Sequence, residues 1–165
     1  MLEIIYVILA IALASLLLGT GLPSINSNAG LRRATTVLAD SGFHTLDLAA
    51  VSYRLSHGRA PVAPTEGGPP SALIPAYSET PMTPAGMGWS YGSANPGHSL
   101  WVCLSGTVAS LDEWAGLAAA QRLRPSGTAA FDVACRVPEP SDGTVPPEPP
   151  EAFPASAALT YQVFN

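Results

Sequence analysis

The run from Ile4 to Leu22 (IIYVILAIALASLLLGTGL) contains no charged residue. As an α-helix rising about 1.5 Å per residue it spans roughly 29 Å, which matches the hydrocarbon core of a bilayer. A cleaved secretory signal carries a basic leading region, a shorter apolar core and a small-x-small cleavage site. Here the early charge is Glu3, which is negative. The run therefore reads as a retained membrane segment, and the 165 residues leave room for one further domain. Only 12% of the chain is charged and its mean hydropathy is +0.26, so part of it is expected to lie out of water.

The nearest cations to this run are Arg32 and Arg33. Taken alone they place the downstream side in the cytoplasm. The opposite orientation follows if a basic leader has been removed ahead of Met1. Glu3 also needs an account, because an unpaired carboxylate near hydrocarbon is costly. It either sits among headgroups or pairs with a cation, and the nearest suitable one is the α-amino group of Met1, from its own or a neighbouring copy.

All seven cations are arginine, and the formal net charge is -5. The absence of lysine excludes a Schiff-base lysine, a P-loop lysine and a lysine isopeptide cross-link. The arginines are spread from Arg32 to Arg136 with no basic stripe to follow a phosphate backbone, so no direct nucleic-acid site is expected.

Beyond Pro23 helical periodicity resumes. Leu31, Ala34, Leu38, Gly42, Leu46, Ala49 and Tyr53 form one stripe, with Val37, His44, Leu48, Val51 and Leu55 alongside it. The spacing predicts an amphipathic helix over 29–56, stopped by His57-Gly58-Arg59-Ala60-Pro61. Gly19, Gly21 and Pro23 lie where it joins the apolar run, and they mark the place for a kink or a melted stretch. Residues 58–98 are rich in proline and glycine and read as a long ordered loop, with short strands around Ala72–Ile74 and Gly88–Tyr91 and with Trp89 and Tyr91 covering the core.

From Ser99 the pattern becomes regular. Leu100 to Val108 is strand-like, Ser110-Leu111-Asp112-Glu113 is a capping box opening a helix to about Leu123, and Thr128 to Val137 reads as a second strand. Residues 138–154 form an acidic, proline-rich connector. The alternation of Ala157, Leu159, Tyr161 and Val163 with polar or small residues predicts a final half-buried strand.

Cys103 and Cys135 fall on the two strands that flank the short helix. They are either a disulfide or two buried thiols, and an extracytoplasmic compartment favours the bridge. It would close residues 103–135 into a loop, which the chain-entropy argument values at roughly 3 to 4 kcal/mol. The chain has no C-x-x-C and no H-x-x-x-H, and none of His44, His57 or His98 stands in a catalytic motif. Asp40 and His44 read as a surface i,i+4 pair. The expectation is a protein with no catalytic residue, no metal and no cofactor.

A long N-terminal helix with an uncharged first half, an acid near its start, a proline about twenty residues in, an amphipathic second half and a β-rich C-terminal domain closed by one disulfide together resemble the type IV pilins. The similarity is greatest to type IVb pilins and pilin-like subunits. It implies an α+β fold in which the apolar helix of residues 1–28 precedes a globular head of residues 29–165 built on a small antiparallel sheet. It implies a structural subunit and not an enzyme: a bacterial protein held in the inner membrane, then polymerised with identical copies by pilus assembly machinery into a helical surface filament for adhesion, motility or DNA transfer, its head periplasmic and then extracellular. In that scheme Glu3 neutralises the Met1 amino group of a neighbouring subunit, and Gly19, Gly21 and Pro23 break the helix. Two other classes share the outline, a pseudopilin of a type II secretion system and a single-pass anchor carrying an unrelated binding domain.

Overall fold

The computed structural model describes residues 27–63, 67–95, 97–143, 145 and 147–164. The apolar run, Met1, Glu3 and the joint at Gly19, Gly21 and Pro23 lie outside these residues. The chain divides at Gly30 into two units, and the second, Leu31–Asn165, contains the architecture that follows apart from the first four residues of the first helix. No helix among the described residues is long and apolar enough to cross a membrane.

The fold is α+β: helix α1 (Ser27–His57), strands β1 (Met87–Asn95) and β2 (Ser99–Val108), helix α2 (Leu111–Arg122), then strands β3 (Ala129–Asp132) and β4 (Ala155–Phe164). The four strands form one sheet in the order β1-β2-β4-β3, and every neighbouring pair is antiparallel. Register places side chains in rows across it. Trp89, Leu104, Leu159 and Phe131 make one row, and Tyr91, Val102, Tyr161 and Ala129 the next. Because side chains alternate along a strand, both rows lie on the same face. There they merge with Phe43 and Leu46 of α1 and with Trp114 and Leu117 of α2 in one continuous core. The opposite face carries a smaller cluster of Trp101, Cys103 and Ala158, against which Cys135 packs.

Helix α1 ends where Gly58 adopts φ 68° and returns its N–H to the Arg54 carbonyl at 2.8 Å, a left-handed cap open to glycine at little cost. The buried face is Thr35, Ala39, Gly42, Phe43, Leu46, Ala49 and Ala50. From Gly42 onward this matches the periodic stripe. Before it the face is turned by about one residue, roughly 100°, so that Leu31 and Ala34 are exposed and Leu38 half-buried. The cause is a change of partner. The first half of α1 meets α2, where the Thr36 hydroxyl donates to the Gly116 carbonyl at 3.0 Å and a Cβ on Gly116 would stand 2.7 Å from the Arg32 carbonyl oxygen. The second half meets the sheet, with Trp89 seated in the notch at Gly42.

Helix α2 has the expected box. The Ser110 side chain accepts from the Glu113 N–H at 3.3 Å, while the Glu113 carboxylate accepts from the Ala109 N–H, one residue earlier than the reciprocal bond usually runs. Three expectations are corrected. Ala72–Ile74 form helical turns and no strand, because the Leu73 and Ile74 N–H groups both return to the Pro70 carbonyl. The strand expected over 128–137 stops at Asp132, whose carboxylate takes the Val133 N–H at 2.7 Å and turns the chain out of the sheet. Cys135 therefore sits in the loop beyond β3, not on a strand.

Candidate interaction surface

Cys103 and Cys135 are bonded, with 6.0 Å between Cα atoms and a sequence separation of 32. The loop that carries Cys135 is held onto the outer face of the sheet. The Arg136 N–H donates to the Thr160 hydroxyl at 3.3 Å, and that hydroxyl points to the Cys103 sulfur at 3.4 Å. The Arg136 guanidinium bonds both carboxylate oxygens of Asp142, at 2.6 and 2.8 Å, and one of Asp132 at 3.0 Å. Fork-shaped pairing of this kind favours the charged forms. Asp142 is held below the ordinary carboxylate range by Arg136, and Asp132 by the Val133 N–H and then by Arg136.

A second arginine fixes α1. Arg124, just past α2, lies 4.8 Å from the centre of the Tyr161 ring and 5.6 Å from that of Phe43. It donates to the Asp40 carboxylate at 2.6 Å and to the Asp40 carbonyl at 3.0 Å. Asp40 thus pairs with Arg124 across the fold in place of the local partner His44. Nearby, burial raises Asp47 above the ordinary range against the opposing pull of Arg124 and His44, and burial likewise raises Tyr161.

With one side of α1 so committed, the other is open. Val37, Leu48, Val51 and Leu55, which the periodicity had placed beside the core, are exposed by 56, 54, 39 and 83%. Ser41 and His44 complete the set and are exposed too. Positions 37, 41, 44, 48, 51 and 55 alternate steps of four and three, the seam spacing of helices that pack lengthwise. The Ser41 hydroxyl donates back to the Leu38 carbonyl at 3.2 Å, so the one small polar member is already satisfied within its own helix. The signal was present in the sequence: a stripe that includes Ser41 and His44 is a poor core face. Missed altogether were Phe43 and Arg124, which define the buried side.

Among the described residues no three His, Cys, Asp or Glu side chains converge. His57 stacks on Tyr53 at 4.1 Å between ring centres, with Tyr77 at its edge, and His98 is exposed in the turn between β1 and β2. A groove of about 440 Å³ runs beside β1 between Pro70, Ile74, Pro81 and Trp89, and a hollow of about 180 Å³ lies between the start of α1 and α2. No protein-family model matches the chain, and no curated protein or solved structure matches it.

Proposed function

We propose that this chain is a subunit of a type IV pilus-like filament, held in the inner membrane by its apolar N-terminal segment and polymerised by assembly machinery through its N-terminal helix. The observation that carries the reading is the open apolar stripe of α1. A helix that buries one side in its own domain and leaves Val37, Leu48, Val51 and Leu55 in solvent is suited to lie against further helices. The uncharged run from Ile4 to Leu22 precedes it in the sequence, so apolar contact surface is concentrated toward one end of the chain. The disulfide fits a head that works in an oxidising compartment.

On this reading Glu3 selects register. Within packed apolar helices an unpaired carboxylate costs several kcal/mol or takes up a proton, and pairing with the Met1 amino group of an adjacent copy removes that cost only in the right alignment. The residues around Gly19, Gly21 and Pro23 supply an extensible joint. The test is to shear surface filaments from cells expressing the chain, identify their main protein, and repeat with Glu3→Gln. Filaments built of this chain, scarce in the variant at unchanged membrane level, are expected. Filaments lacking the chain overturn the reading in favour of an anchored domain, and a normal yield from Glu3→Gln overturns the role of Glu3.

A further inference from the structure

The hollow between the start of α1 and α2 combines apolar side chains with two cations. Its floor is apolar, formed by Leu111, Trp114 and the small side chains of α2, and Pro147 and Pro149 of the connector make one wall. Arg32 of α1 and Arg122 from the last turn of α2 line the same space. Neither forms an ion pair with any described residue, whereas Arg124 and Arg136 are both paired with aspartates. Arg33 and Arg59 likewise form no ion pair with a described residue, but Arg32 and Arg122 line one hollow together. Glu148 stands between the two wall prolines but is exposed and does not line the space.

Two guanidinium groups above an apolar floor match a particular chemistry. Planar donor forks take a phosphate oxygen pair in bidentate fashion, and the floor, where Leu111 is 54% exposed, has nothing to offer a small hydrated anion but can cover the glycerol and upper acyl carbons of a lipid. We infer that this hollow holds the headgroup of an anionic phospholipid, with its phosphate between Arg32 and Arg122. The choice of a lipid over a soluble phosphate rests on the membrane-held state proposed above. Arg32 follows the end of the uncharged run at Leu22 by only ten residues of sequence, and an arginine side chain can bury its stem while its charged head reaches toward an interface. A bound headgroup would tie the head to the membrane surface while the subunit waits there, and would leave when α1 enters a filament.

The experiment uses the full-length chain in a neutral maltoside detergent, with Trp114 as the reporter in the floor of the hollow. Short-chain phosphatidylglycerol, short-chain phosphatidylcholine and inorganic phosphate are each titrated and followed by tryptophan fluorescence and by the thermal midpoint. Phosphatidylglycerol is expected to saturate the signal and raise the midpoint, and the other two to do neither. Arg32→Gln and Arg122→Gln should each weaken binding about tenfold, the loss expected for a charge-assisted hydrogen bond, and Arg33→Gln should not. Both sites are exposed, so the variants are expected to melt with the wild-type chain when no lipid is present; a variant that melts early is replaced by Arg→Lys at the same position, which keeps the charge but loses the fork and should show intermediate affinity. Equal binding of inorganic phosphate, equal response to phosphatidylcholine, or unchanged affinity in the arginine variants overturns the proposal. Membrane fractionation of cells separates the two readings: a chain that floats with membranes but ignores phosphatidylglycerol refutes the site alone, and one that binds the short-chain lipid but is absent from membranes refutes the anchor alone.

Discussion

Leu46 and Leu48 are two residues apart on α1 and face opposite ways, with exposures of 0 and 54%. If the outward stripe is an assembly face, substitutions at the two positions must separate folding from polymerisation. Leu46→Ala removes three buried carbons next to the sheet and leaves a cavity, at a cost of about 2–5 kcal/mol, which in a unit of this size lowers the melting midpoint by roughly 10 °C. Leu48 is more than half exposed and lies outside the core cluster, so the effect of Leu48→Asp on folding should be small, about 0.5 kcal/mol. Its effect on association is different. The exposed part of Leu48 amounts to roughly 90 Å² of apolar surface, or about 2 kcal/mol at 25 cal/mol per Å². Its loss weakens each contact about 30-fold, before the added penalty of placing a carboxylate in a dry seam. The assay is thermal and urea denaturation of the full-length chain in mild detergent, followed by the fluorescence of the buried Trp89, Trp101 and Trp114, beside counts of sheared filaments by electron microscopy. Leu46→Ala should melt early. Leu48→Asp should melt with the wild type and give few filaments. An early melt for Leu48→Asp means that the face is not free in the subunit, and a normal filament yield means that it is not an interface; either refutes the reasoning.

The parts of the fold that local chemistry dictates were legible in the sequence. The Ser110 cap, the inward row of Leu159 and Tyr161, the placement of Trp89 and Tyr91 in the core, and the bond between Cys103 and Cys135 all follow from spacing or from residue type. What escaped depends on contacts distant in the chain. Periodicity says that α1 has apolar residues on two adjoining stripes, but which one is buried depends on the approach of Trp89 to Gly42 and of Gly116 to Thr35, and neither approach has a local signature. The early end of β3 has a similar origin. TAAFDVACRV has the composition of a longer strand, yet Cys135 must cross to the outer face to reach Cys103, and the Asp132 turn with Arg136 makes that departure possible. Arg124 reads in the sequence as a surface cation after a helix, and only the fold brings Asp40, Phe43 and Tyr161 to it. The open stripe is the same kind of problem seen from outside, because an apolar face without a partner in its own chain looks in sequence like one that has found it.

Replacing both Cys103 and Cys135 with alanine should destabilise the head by about 3 to 4 kcal/mol, from the loop-closure entropy returned to the unfolded chain; denaturation of the wild type should show the same loss when reductant is added. Gly30→Ala and Gly42→Ala should differ in sign. A Cβ at Gly30 meets nothing within 4 Å, so the substitution gains up to about 1 kcal/mol of helix propensity, whereas a Cβ at Gly42 would lie 2.2 Å from a Trp89 ring carbon and the resulting displacement, about 1–3 kcal/mol, outweighs that gain. The acid limb of stability should depend on Arg136. Asp132 and Asp142 have native values lowered by it and by backbone N–H groups, so they bind protons more weakly folded than unfolded. Their contribution is therefore present above the ordinary carboxylate range and is lost as pH falls through the native values. Asp47 has the opposite sign, because burial raises its native value; its neutral form is favoured in the fold, and its contribution is lost as pH rises through the interval between the unfolded and native values. The two effects overlap near the carboxylate range, and Arg136→Gln separates them, since it removes the partner of Asp132 and Asp142 and leaves Asp47 untouched. Denaturation midpoints measured from neutral pH downward should fall less steeply in the variant than in the wild type, from a lower starting value. Parallel curves would show that the Arg136 cluster does not set the acid limb.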